Sequence, residues 1–90
     1  MSVRRTKIEI IHDILRAIQE KGGKIKPTHL LYKSNLSYKK MLEYVNELMN
    51  KGMMLETEVK GKKMYTITDK GISYTQEFKK IKEFSDSFGL

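Results

Sequence analysis

Cysteine is absent from this sequence of 90 residues, which excludes disulfides, thiolate metal sites and cysteine nucleophiles. No apolar run approaches the roughly 18 residues that a membrane-spanning helix requires. The first residues also lack the hydrophobic stretch of a signal peptide. We therefore expect a single small domain that is cytoplasmic and has no membrane contact.

Motifs for catalysis are also missing. Nothing resembles a nucleophile elbow or a catalytic pair of carboxylates, and Gly22-Gly23 lacks the glycine spacing and the following lysine of a P-loop. His12 and His29 are the only histidines. Without cysteines or a carboxylate cluster beside them, surface or boundary positions explain them better than metal ligation. We expect no enzymatic activity, no cofactor, no metal and no small-molecule substrate.

Positive charge is abundant. The 18 Lys and Arg residues exceed the 11 Asp and Glu residues by seven, and the sequence pI is about 9.6. Residues 1–71 hold 15 basic and 8 acidic residues, whereas residues 72–90 hold three of each. All of the excess therefore precedes the C-terminal segment, which favours a polyanion-binding body and a tail with another role.

The first half of the sequence predicts three helices. Thr6 and Glu9 match a capping box that opens a helix over 6–21. Pro27 suits the first turn of a short second helix that ends near residue 34. Ser37 is a good N-cap for a third helix, whose apolar positions at helical spacing form one stripe: Tyr38, Met41, Leu42, Val45, Leu48 and Met49.

After Gly52 the pattern changes to that of strands. Residues 53–59 and 64–68 are rich in Val, Thr, Tyr and Ile and flank the basic segment 60–63, so they predict a β-hairpin with a basic tip. Helical spacing then returns, and Asp69 is placed to cap a helix over 70–85.

Three helices, a hairpin and a last helix are the arrangement of a winged helix-turn-helix, a mostly helical α+β fold. In this interpretation Leu36 is the apolar plug of the turn between the second and third helices. We assign residues 1–71 to the winged helix-turn-helix domain and residues 72–90 to a C-terminal helix for dimerisation.

Three segments carry a family resemblance: "RRTKIEIIHDILRAI", "KSNLSYKKMLEYVNELMNKGMM" and "YTITDKG". They resemble the small archaeal winged-helix DNA-binding proteins that are grouped with predicted transcriptional regulators. The resemblance covers nearly the whole chain. It implies binding of double-stranded DNA and, as in the chromatin-like members, homodimerisation through an antiparallel C-terminal coiled coil.

The third helix supplies the first candidates for DNA contact, namely Ser37, Lys39, Lys40 and Tyr44. Lys40 is placed to reach guanine acceptors, while Ser37 and Tyr44 are placed to donate to phosphates. The alternative is that the two lysines form an ordinary solvated face.

Two further basic segments are candidates for phosphate contact. Lys60, Lys62 and Lys63 lie at the predicted wing tip, where lysines also serve solubility alone. A basic arm before the first helix is the interpretation of Arg4, Arg5 and Lys7, although a disordered N-terminus explains them equally well.

The tail carries apolar residues at alternating steps of four and three, as in a coiled-coil seam. The seam consists of Tyr74, Phe78, Ile81, Ser85 and Phe88. Burial within one chain is the alternative, but three phenylalanines in the last thirteen residues favour dimerisation.

The leading hypothesis is therefore a dimeric winged-helix protein that binds double-stranded DNA, as a transcription regulator or a nucleoid-associated protein. A protein–protein interaction module and an RNA-binding winged helix are the alternatives. The excess of positive charge in residues 1–71 favours the nucleic-acid hypotheses.

Overall fold

The chain folds into four helices and a three-stranded antiparallel sheet in the computed structural model, which describes residues 5–89. In chain order the elements are α1 (Lys7–Glu20), β1 (Lys24–Ile25), α2 (Pro27–Ser34), α3 (Tyr38–Asn50), β2 (Met54–Val59), β3 (Lys62–Ile67) and α4 (Asp69–Ser87). This order confirms the predicted winged helix-turn-helix fold with a C-terminal helix.

Local signals in the sequence fix where α1 and α3 begin. The Thr6 hydroxyl accepts a hydrogen bond from the Glu9 backbone N–H at 3.2 Å, and the Glu9 carboxylate accepts one from the Thr6 N–H at 3.1 Å. This is the predicted capping box. At the second site, Ser37 Oγ accepts from the Lys40 N–H at 3.2 Å, which confirms Ser37 as the N-cap of α3.

The turn between α2 and α3 depends on Asn35, which ends α2 in the left-handed conformation with φ 54° and ψ 38°. Asparagine tolerates this region better than most residues because its short side chain forms local hydrogen bonds. Leu36 follows and is half-buried against the core rather than fully buried. It therefore plugs the turn only in part.

The wing is a tight hairpin. Val59 pairs with Lys62 across a two-residue turn, in which Lys60 and Gly61 both have positive φ, 50° and 76°. Two successive positive φ values match the twist that a two-residue hairpin requires. The turn is thus shorter than the predicted basic segment 60–63, and Lys62 and Lys63 lie in β3.

The sheet has a third strand that the sequence pattern did not predict. Strand β1 pairs with β3, with Lys24 opposite Thr66 and Ile25 opposite Tyr65. The sheet order is β1-β3-β2. A strand of two residues is too short to show alternation, so no periodicity marks it.

One hydrophobic core joins the helices to the inner face of the sheet. It includes these buried residues: Ile11, Ile14, Leu15, Ala17, Ile18, Ile25, Leu30, Met41, Val45, Leu48, Met54, Tyr65 and Ile67. Because α3 is held on its Met41/Val45/Leu48 side, its opposite side is left at the surface.

Helix α4 is attached at its start to the turn that follows α3. Thr68, rather than the predicted Asp69, is the N-cap, and its hydroxyl accepts from the Gly71 N–H at 3.2 Å. The start of α4 lies very close to the turn after α3 and to the end of β3. A Cβ on Gly71 would overlap the carbonyl oxygen of Met53 and the side chain of Ile67. The predicted domain boundary at residue 71 thus falls within the first turn of α4.

Candidate nucleic-acid interface

The N-terminal turn of α3 presents cations to solvent. Ser37, Lys39 and Lys40 are all exposed. The Ser37 oxygen accepts the capping bond from Lys40, while its own hydroxyl hydrogen remains available for donation. A helix N-terminus also favours anions through its dipole and its unpaired N–H groups. This end of α3 is therefore suited to a phosphate.

Lys40 lies on the flank of α3 that faces the start of α1. Its Nζ is 3.4 Å from Glu43 Oε2, and both side chains line an open groove together with Lys7, Tyr44 and Glu47. Tyr44 is half-buried. Because Lys40 and Tyr44 line the same groove, these two predicted contact residues occupy the same edge of the helix.

Two ion pairs at this edge of α3 join Glu47 to Lys7 and to Lys51. Lys7 Nζ lies 3.0 Å from Glu47 Oε1, and Lys51 Nζ lies 3.6 Å from Glu47 Oε2. The hydrogen bond from Lys7 is the main cause of the lowered pKa of Glu47, with the charges of Lys7 and Lys51 adding to it. Glu47 is thus held as a carboxylate that partly offsets the cations around it.

The opposite flank of α3 faces the wing. Tyr38 was predicted to belong to the apolar stripe but is 60% exposed. Its phenol makes a minor electrostatic contribution to the raised pKa values of Lys63 and Tyr65. The stripe prediction was wrong at this position because the first turn of α3 projects beyond the core. Tyr38 therefore belongs to the exposed surface of α3 rather than to its buried stripe.

The wing carries its lysines at the surface as predicted, since Lys60, Lys62 and Lys63 are all exposed. Lys63 Nζ lies 3.3 Å from the Glu56 carboxylate, which is the main reason that the pKa of Lys63 is raised. The pair is solvent-exposed, so a phosphate can replace Glu56 at little cost.

Arg5 is engaged within the fold. Its guanidinium donates to Asp13 Oδ2 at 3.0 Å and to the carbonyl oxygen of Ser34 at 2.9 Å. Its side chain is 28% exposed, and it links α1 to the end of α2. The structure thus gives Arg5 a role in positioning the helices, whereas Arg4 lies outside the described residues.

The predicted seam of the tail divides between two environments. Tyr74 is half-buried and its hydroxyl donates to the Ile8 carbonyl at 3.2 Å, while Phe78 stacks on His12 with ring centroids 4.2 Å apart. Ile81 and Phe88 are each 67% exposed. Two residues of the predicted seam, Tyr74 and Phe78, therefore pack against α1 of the same chain.

The sequence pattern missed two residues on the outermost side of α3, Asn46 and Asn50. With Tyr38 outside the core, the buried stripe is centred on Met41, Val45 and Leu48, so the solvent side is centred on Lys39, Glu43, Asn46 and Asn50. Asn46 is thus added to the candidate interface, and Lys7, expected in the basic arm, lies in the groove beside α3. Weighting the stripe by its aliphatic members alone would have found Asn46.

Two general features complete the description of residues 5–89. No helix in this range is both long and apolar enough to cross a membrane. No group of three or more His, Asp and Glu side chains in the same range is arranged to hold a metal ion.

Comparison with known proteins places the fold. A family model described as winged helix-turn-helix matches residues 4–86. The chain belongs to the winged helix-turn-helix family. Among solved structures, this winged helix-turn-helix chain is similar to Sso10a-2, a DNA-binding protein from Sulfolobus solfataricus, with 30% sequence identity and a TM-score of 0.75. The alignment covers 94% of this chain and 90% of Sso10a-2, in agreement with the archaeal resemblance.

Two further proteins are similar over much of this chain. TubR bound to 24 bp of tubC, from Bacillus thuringiensis serovar israelensis, shares the fold with a TM-score of 0.67 at 24% identity, over 87% of this chain and 98% of TubR. An uncharacterized protein of Methanocaldococcus jannaschii is 36% identical over 70 residues, which are 78% of this chain and 30% of that relative. The chain thus spans less than a third of that relative's length.

Proposed function

We propose that this winged helix-turn-helix chain binds double-stranded DNA, as a transcription regulator or a nucleoid-associated protein, with α3 in the major groove and the wing on the backbone. The observation that carries the proposal is the exposure of two cationic elements. The lysines at the start of α3 and on the wing are all exposed, namely Lys39, Lys40, Lys60, Lys62 and Lys63, so both elements present ammonium groups to solvent. The similarity to Sso10a-2, which is described as a DNA-binding protein, supports the same function.

The lysines divide into two proposed roles. The wing lysines contact phosphates, namely Lys60, Lys62 and Lys63. A lysine ammonium group is a point charge on a flexible stem, so it suits the charged phosphate backbone better than the edge of one particular base. Lys39 and Lys40 lie in the first turn of α3, after Ser37, and Tyr44 lies one turn further along. The hydroxyl groups of Ser37 and Tyr44 are the proposed donors to the DNA backbone. Lys40 is also within reach of guanine acceptors once Glu43 releases it.

A mobility-shift assay with duplex DNA and single-stranded RNA of the same sequence tests this function over a series of salt concentrations. We expect duplex to bind more tightly than RNA. The affinity should fall with salt by about 0.9 log unit per log unit for each phosphate that is neutralised. Changing Lys62 and Lys63 together to Ala should flatten the slope by roughly one to two units and weaken all duplexes alike.

The matched control changes Lys21 and Lys24 to Ala. It removes the same charge as the wing variant, but at the C-cap of α1 and in β1. This variant should keep a slope closer to that of the wild type. A full salt slope in the wing variant would show that the wing does not touch DNA. Equal or tighter binding of RNA would favour the RNA-binding alternative, and no binding to either nucleic acid would favour the protein–protein module.

We also propose that two copies of the chain associate through the last turns of α4. Ile81, Phe84 and Phe88 are each more than 60% exposed and lie on one side of the helix. An antiparallel second copy would bring the basic segment 79–82 of one α4 against the acidic side chains of segment 83–86 of the other. Charge complementarity and apolar burial therefore favour the same orientation.

A further inference from the structure

The solvent side of α3 carries a polar ridge, which we define as Lys39, Glu43, Asn46 and Asn50. Steps of four, three and four residues place these side chains within roughly 60° of one another around the helix. All four are exposed. They lie opposite Met41, Val45 and Leu48, the residues that attach α3 to the core.

Asn46 has no role in stability that the fold explains. It sits in the interior of α3, away from either cap, and its side chain is exposed. Asparagine is a weaker helix former than Ala, Lys or Glu, because its amide competes for backbone hydrogen bonds. An exposed asparagine in a helix interior thus costs stability and presents a free donor and acceptor to whatever meets the ridge.

Cations lie beside the ridge. Lys7 and Lys40 line the groove beside Tyr44 on one flank, and the lysines of the wing are exposed outside α3. In a major groove the two phosphate backbones run on either side of the inserted helix. Lys7 and the wing lysines are therefore available to the backbones, while the ridge faces the edges of the bases.

We propose that Asn46 reads an adenine in the major groove and gives the chain a base preference at that position. A primary amide has one carbonyl acceptor and an NH₂ donor side by side, which is the complement of adenine N6–H₂ and N7. The neighbouring Glu43 accepts only and is paired with Lys40 at 3.4 Å. This inference rests on the proposed DNA-binding function and specifies its partner.

Selection from a pool of random duplexes tests the inference with the full chain. The wild type should enrich sites with an adenine at one position, and Asn46→Ala should lose the preference at that position alone. On the enriched site, Asn46→Ala should bind roughly tenfold more weakly, whereas its affinity for random-sequence duplex should fall by less than about twofold. Gln76→Ala, which removes an exposed amide on α4, is the control and should keep the preference.

A change in the DNA identifies the contact. Replacing the enriched adenine by 7-deazaadenine removes the N7 acceptor while keeping the pairing with thymine. This replacement should weaken the wild type by roughly five- to tenfold and leave Asn46→Ala unaffected. An equal loss in both proteins would overturn the assignment of Asn46 to that adenine.

The outcomes separate this inference from the function on which it rests. If the wild type binds duplexes but enriches no base, the inference fails and the proposed DNA binding stands. If Asn46→Ala enriches the same site as the wild type, the ridge does not read that base through Asn46. If the wild type binds no duplex at all, the proposed function itself fails.

Discussion

The two halves of α4 have similar patterns of apolar residues but different surroundings. In residues 69–78, Gly71 and Thr75 are buried, and Phe78 stacks on His12 of α1. In the second half (residues 79–87 with the C-cap Phe88), Ile81 and Phe88 are each 67% exposed. Both halves carry apolar side chains at helical spacing. The first half contacts the body of its own chain through these side chains. In the second half Lys79 and Lys82 still lie beside α1, whereas the apolar side is uncovered.

This difference shows what the periodicity of a helix predicts. Spacing indicates which residues share a side of the helix but not which surface covers them. The buried side of the first half, at Gly71, Thr75 and Phe78, is rotated by roughly a third of a turn from the exposed side of the second half. One continuous seam was predicted, and the structure divides it into an intramolecular contact and a surface that we assign to a second copy.

The largest effect is expected in the exposed half. Changing Ile81 and Phe84 together to Asp would place unpaired charges in the proposed dimer contact, which costs several kcal/mol. We expect the dimer Kd to rise by at least about a hundredfold, while the monomer stays folded because both side chains are more than 60% exposed. Sedimentation equilibrium measures the mass, and circular dichroism measures the fold.

The matched control introduces the same charges at the same spacing on the other half, by changing Ser73 and Gln76 to Asp. Both positions are exposed, so the dimer should persist. If the first variant keeps the mass of the wild type with an intact fold, the second half of α4 is not the dimer contact and the comparison between the halves loses its functional meaning.

The docked half of α4, residues 69–78, should lose most stability on substitution of Gly71. An added Cβ would overlap the Met53 carbonyl oxygen and approach the Ile67 side chain, so α4 must shift away from the turn after α3. We expect Gly71→Ala to lower the free energy of unfolding by about 1–3 kcal/mol, although alanine is the better helix former by about 1 kcal/mol. Urea denaturation at one protein concentration measures the change.

Ser73→Ala serves as the comparison for this substitution, since Ser73 is exposed two residues further along the same helix. Its free energy of unfolding should change by less than about 0.5 kcal/mol. A more stable Gly71→Ala variant would show that helix propensity outweighs the close approach, and the start of α4 would then be loosely packed.

Local chemistry made the element boundaries predictable. The capping box at Thr6 and the N-cap at Ser37 are recorded in a few adjacent residues, and the structure confirms both. Strand β1 was missed because two residues carry no period. The N-cap of α4 was assigned to Asp69 instead of Thr68 because both residue types cap well and stand side by side.

The candidate interface was less predictable because it depends on contacts between elements. The positive φ at Lys60 and Gly61 moves Lys62 and Lys63 into β3, and the bonds of Arg5 to Asp13 and Ser34 span 8 and 29 residues of sequence. Neither arrangement leaves a local pattern. The contact roles of the lysines remain predictions for the binding experiments.

A smaller effect is expected from the hydrogen bond that links α4 to the start of α1. Tyr74→Phe removes the hydroxyl that donates to the Ile8 carbonyl at 3.2 Å and leaves the half-buried ring in place. We expect a loss of about 0.5–1 kcal/mol in the free energy of unfolding. Tyr32→Phe, at a side chain that is 82% exposed, should change nothing, and equal losses in both variants would contradict the role given to this bond.

The smallest effect should appear as a pH dependence of the docked half. Burial against α4 lowers the pKa of His12 below its ordinary value of 6.5, Arg16 and Lys82 lower it further, and Asp13 opposes them. A lowered pKa means that the folded state favours the neutral imidazole. The stabilisation is therefore fully present above pH 6.5 and is lost as the pH falls below 6.5 through the lowered pKa of the folded state.

Urea denaturation of the wild type and of His12→Gln between pH 7.5 and 5 measures this contribution. The loss of stability on acidification should be smaller in the variant, which has no imidazole at the α1–α4 contact. His29→Gln is the control for the second histidine, whose pKa is also lowered by partial burial and by Lys21 and Lys33. It should change the pH dependence less, because His29 has no aromatic ring stacked on it. The opposite outcome is that acidification stabilises the wild type relative to His12→Gln. In that case the charged imidazole forms a cation–π pair with the Phe78 ring, and the contact between α1 and α4 becomes more stable at low pH, contrary to our expectation.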